Sequence, residues 1–301
     1  MIRATAPRRT FLGAILLTVS WIFFTTEMVT VRLLSEDLSV AQIGVFRLGT
    51  QALVLLPVVL WTRGRIIHTR RLRTHIARGA CSTGGMVLFY LAFVMLPLAL
   101  ATTLTFLQAM FIIVLAALML GEKIGPRRIA AVILGFLGVL IVMRPGFITF
   151  DPGMLVALAA AFVASLLIVI TRSLSATESR LTIMLYSASL GLVFLCVPAV
   201  MMWQPLELRH LSQLFLVGAA GTTGQFLMVS AFQVAEASAL AVVDYIRLIF
   251  AVGAGYFMFN EVPDLWTCTG AAVILGAVGY ATHRERLAAR AVTIANETRI
   301  S

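Results

Sequence analysis

Long apolar runs separated by short polar breaks extend over most of this chain. The runs are close to the roughly 20 residues with which an α-helix spans the hydrocarbon core of a bilayer. The pattern predicts ten helices, at about residues 10–32, 40–61, 76–96, 99–119, 127–144, 153–171, 181–202, 211–231, 237–259 and 265–282. We therefore expect an all-α integral membrane protein with ten transmembrane helices.

The composition argues against a soluble protein. Of the 301 residues, 60% are hydrophobic and 12% are charged, whereas soluble domains average about 45–50% apolar and about 25% charged residues. So few charged side chains cannot cover a globular surface. The three cysteines lie apart in apolar runs, and no Cys/His cluster or nucleophile motif has the spacing of a metal site or an enzyme. The sequence therefore predicts no metal, no cofactor and no enzymatic activity.

The net charge of +10 lies mainly in the loops, where it indicates orientation and not a nucleic-acid partner. Ten helices place both termini on one side of the membrane. With that side in the cytoplasm, the inner segments carry 18 of the 23 Lys and Arg residues and the outer segments carry 3. Because basic residues concentrate in cytoplasmic loops, we expect a multi-pass protein of the bacterial inner membrane with both termini cytoplasmic. The basic loop 63–78 can also contact anionic lipid headgroups.

The two halves of the sequence repeat each other at a spacing near 140 residues. The run AAVILG occurs at Ala130–Gly135 and again at Ala271–Gly276. Other matching pairs are Arg32 and Arg172, Ser39 and Ser179, Pro57 and Pro198, and Glu122 and Glu261. Each half holds five helices, and this odd number makes the second half enter from the opposite face. The sequence thus predicts two inverted repeats, at 1–146 and 147–284, and a cytoplasmic tail at 285–301.

Inverted repeats of this kind are typical of secondary transporters, whose binding site lies at the repeat interface. The segments Leu96–Gly146, with LGEKIGPRRIAAVILGFLGV, and Glu236–Tyr280, with YIRLIFAVGAGYFMFNEVPD, resemble the EamA-type branch of the drug/metabolite transporter superfamily, as does Ile43–Pro57 with its arginine. This resemblance implies ten helices in two inverted repeats and gradient-driven movement of small metabolites. Similar members include amino-acid and metabolite exporters, and subgroups that take up S-adenosylmethionine or riboflavin.

Four charged residues are predicted at bilayer depth, where each costs at least about 2.5–3.5 kcal/mol on insertion scales. Glu27 on the first helix and Arg47 on the second lie at similar depth, so they can form a pair. That pair is either purely structural or part of a transport site. Asp244 and Arg247 lie three residues apart on one helix face. They either line a pocket or simply neutralise each other.

The residues that match Asp244 and Arg247 in the first repeat are Thr105 and Gln108. A polar pair on one repeat that faces a charged pair on the other suits a cavity at the interface. The predicted substrate-binding residues are Arg47, Tyr90, Thr105, Gln108, Gln225, Asp244 and Arg247, and the predicted proton-coupling residues are Glu27 and Asp244. Aromatic side chains such as Trp21 and Phe106 either stack on a flat substrate or pack between helices.

These features together predict a secondary transporter of a small polar or amphipathic metabolite that works by alternating access. The proton gradient is the expected driving force, and the direction stays open between metabolite export and uptake of a vitamin or nucleoside-like compound, such as riboflavin or S-adenosylmethionine. A membrane-embedded enzyme or a lipid-binding scaffold is the alternative class. Neither would account for the inverted repeat.

The inverted arrangement makes a testable prediction about sidedness. Single cysteines that replace Thr69 and Gln204 in a cysteine-free background should react with an impermeant thiol reagent from opposite sides of the membrane. Labelling of both positions from outside would contradict the ten-helix inverted topology.

Overall fold

The structure is a computed structural model that describes residues 7–64, 67–120, 126–143, 151–175, 177–234, 240, 243–277 and 279–280. All regular elements within these ranges are helical. The helices are α1 (Pro7–Leu34), α2 (Val40–Trp61), α3 (Leu72–Met95), α4 (Leu98–Thr105), α5 (Gln108–Leu120), α6 (Pro126–Met143), α7 (Pro152–Ser175), α8 (Arg180–Met201), α9 (Leu208–Val234), α10 (Ile246–Phe259) and α11 (Leu265–Ala277).

Seven stretches of the described chain are long and apolar enough to cross a membrane, and one of them runs through α4 into α5 as Leu98–Leu115. Two shorter apolar helices lie at Val132–Met143 and Leu265–Ala277. Large apolar side chains on the outer surface, such as Phe257 and Trp61, are exposed because a bilayer and not water is their natural surrounding. The all-α membrane architecture is confirmed, and the number of ten spans stays a prediction.

The helix predicted at 99–119 is interrupted in the structure. After Thr105 the amides of Phe106 and Leu107 donate to carbonyls three residues back, at 3.2 and 3.1 Å, so the chain makes a tight turn before α5. The hydroxyls of Thr103 and Thr105 donate to backbone carbonyls of the same helix, at 2.8 Å each. Threonine bonds of this kind compete with the regular helical pattern.

A matching turn occurs in the second half. The 3-10 turn Val243–Tyr245 comes directly before α10, which begins 138 residues after α5. Residues 235–239 and 241–242 of the helix predicted at 237–259 lie outside the described residues. Interrupted helices at corresponding positions of two repeats are a known sign of a transporter binding site.

The repeat is visible in the local structure of α2 and α8. Both helices have 22 residues, and α8 begins 140 residues after α2. Ser39 and Ser179 cap their first turns, accepting from the amides of Gln42 and Thr182 at 3.2 and 3.1 Å. Each helix also contains a proline in its last turns. The local structure of α2 thus recurs one repeat later in α8.

Helices of one repeat pack mainly on helices of the other. The most extensive contacts are those of α1 with α9 and of α3 with α7, and α2 packs against α8. Because each of these contacts joins the two halves, the interface between the repeats passes through the centre of the bundle.

Helices α6 and α11 meet at glycines. A Cβ atom on Gly270 would lie 2.8 Å from the carbonyl oxygen of Gly138 and would overlap the side chain of Val142. A Cβ atom on Gly276, in the same helix, would meet nothing within 4 Å. Small residues that let backbones approach are the usual means of helix association in membranes.

These two glycines form a matched pair for a stability test. Gly270→Ala should destabilise the protein by about 1–3 kcal/mol, because overpacking a tight contact has that cost. Gly276→Ala should leave stability unchanged or slightly higher, since alanine favours helix and the site is open. Thermal unfolding in detergent measures both, and equal melting temperatures for the two variants would show that the α6–α11 contact is not tight.

Candidate functional site

A cavity of about 270 Å³ lies at mid-length of the helices, between the two repeats. The first repeat contributes Phe24, Arg47, Gln51 and several residues of α3, and the second repeat contributes side chains of α7, α8 and α9. The wall is mostly apolar, and it contains a few polar groups that converge on one side. This combination of an apolar cleft with few placed polar groups is the usual form of a small-molecule site.

A buried polar cluster closes one side of the cavity. Arg47 Nε donates to Glu27 Oε1 at 3.1 Å, and the Tyr90 hydroxyl donates to the same carboxylate oxygen. The other guanidinium nitrogens donate to Gln51 Oε1 at 2.6 Å and to Gln225 Oε1 at 3.3 Å. The cluster therefore ties α1, α2, α3 and α9 together, and the ion pair predicted between Glu27 and Arg47 is present.

Two members of this cluster were not predicted from the sequence. Gln51 follows Arg47 by four residues on α2, a spacing that places both on one helix face. Gly221 on α9 makes room for the carboxylate, because a Cβ atom there would lie 2.6 Å from Glu27 Oε1. The spacing could have identified Gln51, whereas the role of Gly221 depends on how α9 packs against α1.

A second charged pair lies where the turn after α4 meets the start of α10. Asp244 Oδ2 lies 3.8 Å from Arg247 Nε, and Trp21 Nε1 donates to Asp244 Oδ1 at 3.1 Å. The Arg247 guanidinium lies over the Phe106 ring, 3.8 Å from its centroid, and 5.2 Å from the Trp21 ring centroid. Cation–π contacts of this kind hold the guanidinium plane in a fixed orientation.

The polar residues predicted opposite this pair behave differently from each other. Thr105 is 1% exposed, and its hydroxyl donates to the Thr102 carbonyl at 2.8 Å. Gln108 is half-buried at the start of α5. The side chain between them in sequence, Phe106, contacts Arg247 directly. The substrate-binding roles of Thr105 and Gln108 stay predictions.

The charged pair and the cavity are connected through α1. Trp21, which binds Asp244, packs against Phe24 with ring centroids 5.4 Å apart, and Phe24 lines the cavity. Met228 on α9 also lines the cavity and packs in the same apolar cluster as Trp21. Both charged pairs therefore lie along one continuous region of the repeat interface.

Comparison with known proteins gives one family match. The EamA-like transporter family matches residues 11–144 and again residues 151–282. An S-adenosylmethionine uptake transporter of Rickettsia bellii is 32% identical over 247 residues, which cover 82% of this chain and 85% of that protein. A pseudopaline exporter of Pseudomonas aeruginosa is 29% identical, covering 88% and 94% of the two chains.

Two further similarities are more distant. A riboflavin transporter of Brucella anthropi is 27% identical and covers 76% of this chain and 83% of that protein. A protein crystal structure that is 16% identical matches with a TM-score of 0.59, over 92% of this chain and 96% of that chain. The structural match shows a shared fold.

The buried pair of Glu27 and Arg47 makes a prediction about stability. Glu27→Gln leaves Arg47 buried without a counter-charge, which should cost about 3–5 kcal/mol. Adding Arg47→Gln removes the orphaned charge, so the double variant should be more stable than Glu27→Gln alone. Unfolding of the purified protein in detergent measures the difference.

The control is Glu207→Gln, which breaks the exposed pair with Arg209. Such surface pairs contribute about 0–1 kcal/mol. Purely additive losses in the Glu27 and Arg47 double variant would refute an energetic coupling between the two charges.

Proposed function

The chain belongs to the EamA-like transporter family, and from this membership we propose that it is a secondary transporter that moves a small polar or amphipathic metabolite across the bacterial inner membrane by alternating access. The observation that carries the proposal is the cavity between the repeats, with the Glu27–Arg47 pair in its wall and the Asp244–Arg247 pair close by. Membership of this family identifies a transporter and not an enzyme.

The proposed topology has ten spans in two inverted repeats, residues 1–146 and 147–284, with both termini and the tail 285–301 in the cytoplasm. The excess of basic residues in the inner segments supports this orientation. The equal lengths and caps of α2 and α8 support the repeat. In this orientation the ends of α1, α3 and α10 that carry Leu34, Met95 and Phe259 face outward, and we call this the outer end of the bundle.

Arg247 is the proposed anchor for an electron-rich group of the substrate. Its Nε has no hydrogen-bond partner among the described residues, and Asp244 at 3.8 Å is too far for a good one. Phe106 and Trp21 hold the guanidinium in place, so its donor edge is already oriented for a carboxylate. Arg47, Gln225 and Tyr90 are proposed to contribute hydrogen bonds on the cavity side.

Asp244 suits the coupling proton better than Glu27 does. The Glu27 side chain is 6% exposed, and its carboxylate pairs with Arg47 and accepts a hydrogen bond from the Tyr90 hydroxyl. The Asp244 side chain is 33% exposed, and its contact to Arg247 is loose. Asp244 is the more exposed and the less tightly held of the two carboxylates, so we assign the coupling role to Asp244 and a structural role to Glu27.

Uptake of S-adenosylmethionine is a second, more specific candidate. Relatives from several Rickettsia species that bear this function in their names are 29–32% identical over about four-fifths of the chain. The amino-acid group of such a substrate carries an ammonium and a carboxylate. The ammonium is complementary to Asp244, and the carboxylate is complementary to Arg247. Because one of the relatives is named as an exporter, the direction of transport stays open.

Transport into proteoliposomes tests the two assignments separately, with S-adenosylmethionine, riboflavin and amino acids as labelled solutes. Asp244→Asn keeps the shape of the side chain and removes the titration, so it should abolish accumulation driven by an imposed pH gradient while counterflow continues. Arg247→Gln should instead weaken binding about tenfold or more, because a charge-assisted hydrogen bond is worth about 1.5–3 kcal/mol.

The control variants are Glu36→Gln and Arg73→Gln, which change charges on exposed side chains. These should transport like the unaltered protein. If both the Asp244 and the Arg247 variants transport like the unaltered protein, the proposed site is refuted. If neither the unaltered protein nor any variant transports a solute, the proposed function is refuted.

A further inference from the structure

One carboxylate at the outer end of the bundle joins three helices. Glu261 Oε1 pairs with Arg32 in the last turn of α1, and Glu261 Oε2 accepts from the backbone amide of Leu98, the first residue of α4, at 2.9 Å. Glu261 itself follows the end of α10. We call these three groups, the side chains of Arg32 and Glu261 and the amide of Leu98, the outer latch.

The end of α10 is built to hold Glu261 in this position. Asn260 adopts the left-handed conformation with φ 57°, and the Glu261 amide returns to the Gly255 carbonyl at 2.9 Å. A left-handed residue directly after the last helical turn is a common form of helix end. A Cβ atom on Gly255 would lie 2.8 Å from Glu261 Oε2, so glycine leaves the space that the carboxylate occupies. Arg32 also lies over the Phe259 ring, 4.3 Å from its centroid.

The latch and the proposed substrate site lie on the same pair of helices. Helices α4 and α10 contact each other. Helix α4 begins at the latch and leads to Phe106, about 12 Å further along at 1.5 Å per residue. Helix α10 begins beside Arg247 and leads to Glu261. A shift of α10 against α4 at the Phe106–Arg247 contact is therefore transmitted to the latch.

Space for such a shift is present beside the latch. A second cavity, of about 250 Å³, is lined by Leu100 of α4, by Val252 and Gly255 of α10, and by Glu261. Another contact at the outer end joins different helices from those of the latch. Gln42 and Gln204 exchange two hydrogen bonds of 3.0 Å between α2 and the segment before α9, and these involve neither α4 nor α10.

The sequence repeat offers the same residue types a second time. Arg172 and Glu122 stand one repeat away from Arg32 and Glu261. Glu122 and the side chain of Arg172 lie outside the described residues. In an inverted repeat, the residues equivalent to a pair at the outer end belong to the inner end of the bundle. Contacts that close the two ends alternately are expected to be arranged in this way.

We propose that the outer latch closes the outer end of the transport pathway and opens when α10 moves relative to α1 and α4 as substrate binds between Phe106 and Arg247. This inference rests on the proposed function. The latch is released by exchanging the Arg32 and Leu98 contacts of Glu261 for water. It therefore converts a local change at the substrate site into access from one side.

Access to the central cavity tests the latch without a known substrate. A single cysteine replaces Ser82 in the cavity wall, and alanines replace Cys81, Cys196 and Cys268. An impermeant thiol reagent is applied to vesicles of either orientation. Glu261→Gln and Arg32→Gln should each speed labelling from the outer side about tenfold, since each weakens the closed state by roughly one charge-assisted hydrogen bond. Arg32→Lys, which keeps the charge, should restore most of the slow rate.

Arg209→Gln is the matched control, because Arg209 pairs with Asp37 near the same end but belongs to neither α4 nor α10. It should label at the wild-type rate. Wild-type labelling rates in folded Glu261→Gln and Arg32→Gln would make the latch a static brace and overturn the proposal; if one variant fails to fold, the other decides. Labelling reports access to the cavity and not solute flux, so the two claims can fail separately. Normal flux together with an unchanged labelling rate in the variants would refute only the latch. A changed labelling rate in a protein that transports no solute would refute only the transport function.

Discussion

The ion pair between Glu27 and Arg47 is the constraint on which the centre of this protein depends. Both side chains are buried at a depth where an unpaired charge is costly. Each must therefore be satisfied by the protein, and Tyr90, Gln51 and Gln225 supply the remaining contacts. Because the pair and these partners together join four helices from both repeats, the pair fixes how the two halves meet and where the cavity between them forms.

The second charged pair differs from the first in how completely it is satisfied. Asp244 and Arg247 lie at the 3-10 turn and the first turn of α10, at a longer distance, with aromatic rings against the guanidinium face. A fully satisfied pair suits a fixed framework, whereas a loosely satisfied pair can exchange partners with a substrate or a proton. The Glu27–Arg47 pair, in the first half of the chain, thus mainly stabilises the fold. The Asp244–Arg247 pair, in the second half, has the proposed role in transport.

Much of the fold follows from apolar run length, and the depth of Glu27 and Arg47 along adjacent helices was enough to predict their contact. The interruption at Phe106 was not predicted. The pattern of apolar residues is the same whether or not threonine hydroxyls donate to the helix backbone. The bond from Trp21 to Asp244 joins residues 223 positions apart. Contacts of that kind depend on how helices of opposite repeats pack, which periodicity within one helix does not contain.

The central claim is that the cavity between the repeats carries the substrate. The most direct test combines flux with protection in one preparation, a single cysteine at Ser82 in proteoliposomes, with S-adenosylmethionine, riboflavin and amino acids as solutes. A solute that crosses the membrane should slow alkylation of this cysteine, with half-protection near the concentration of half-maximal flux. Saturable flux of a solute that leaves the alkylation rate unchanged at every concentration would contradict it, because the pathway would then lie elsewhere.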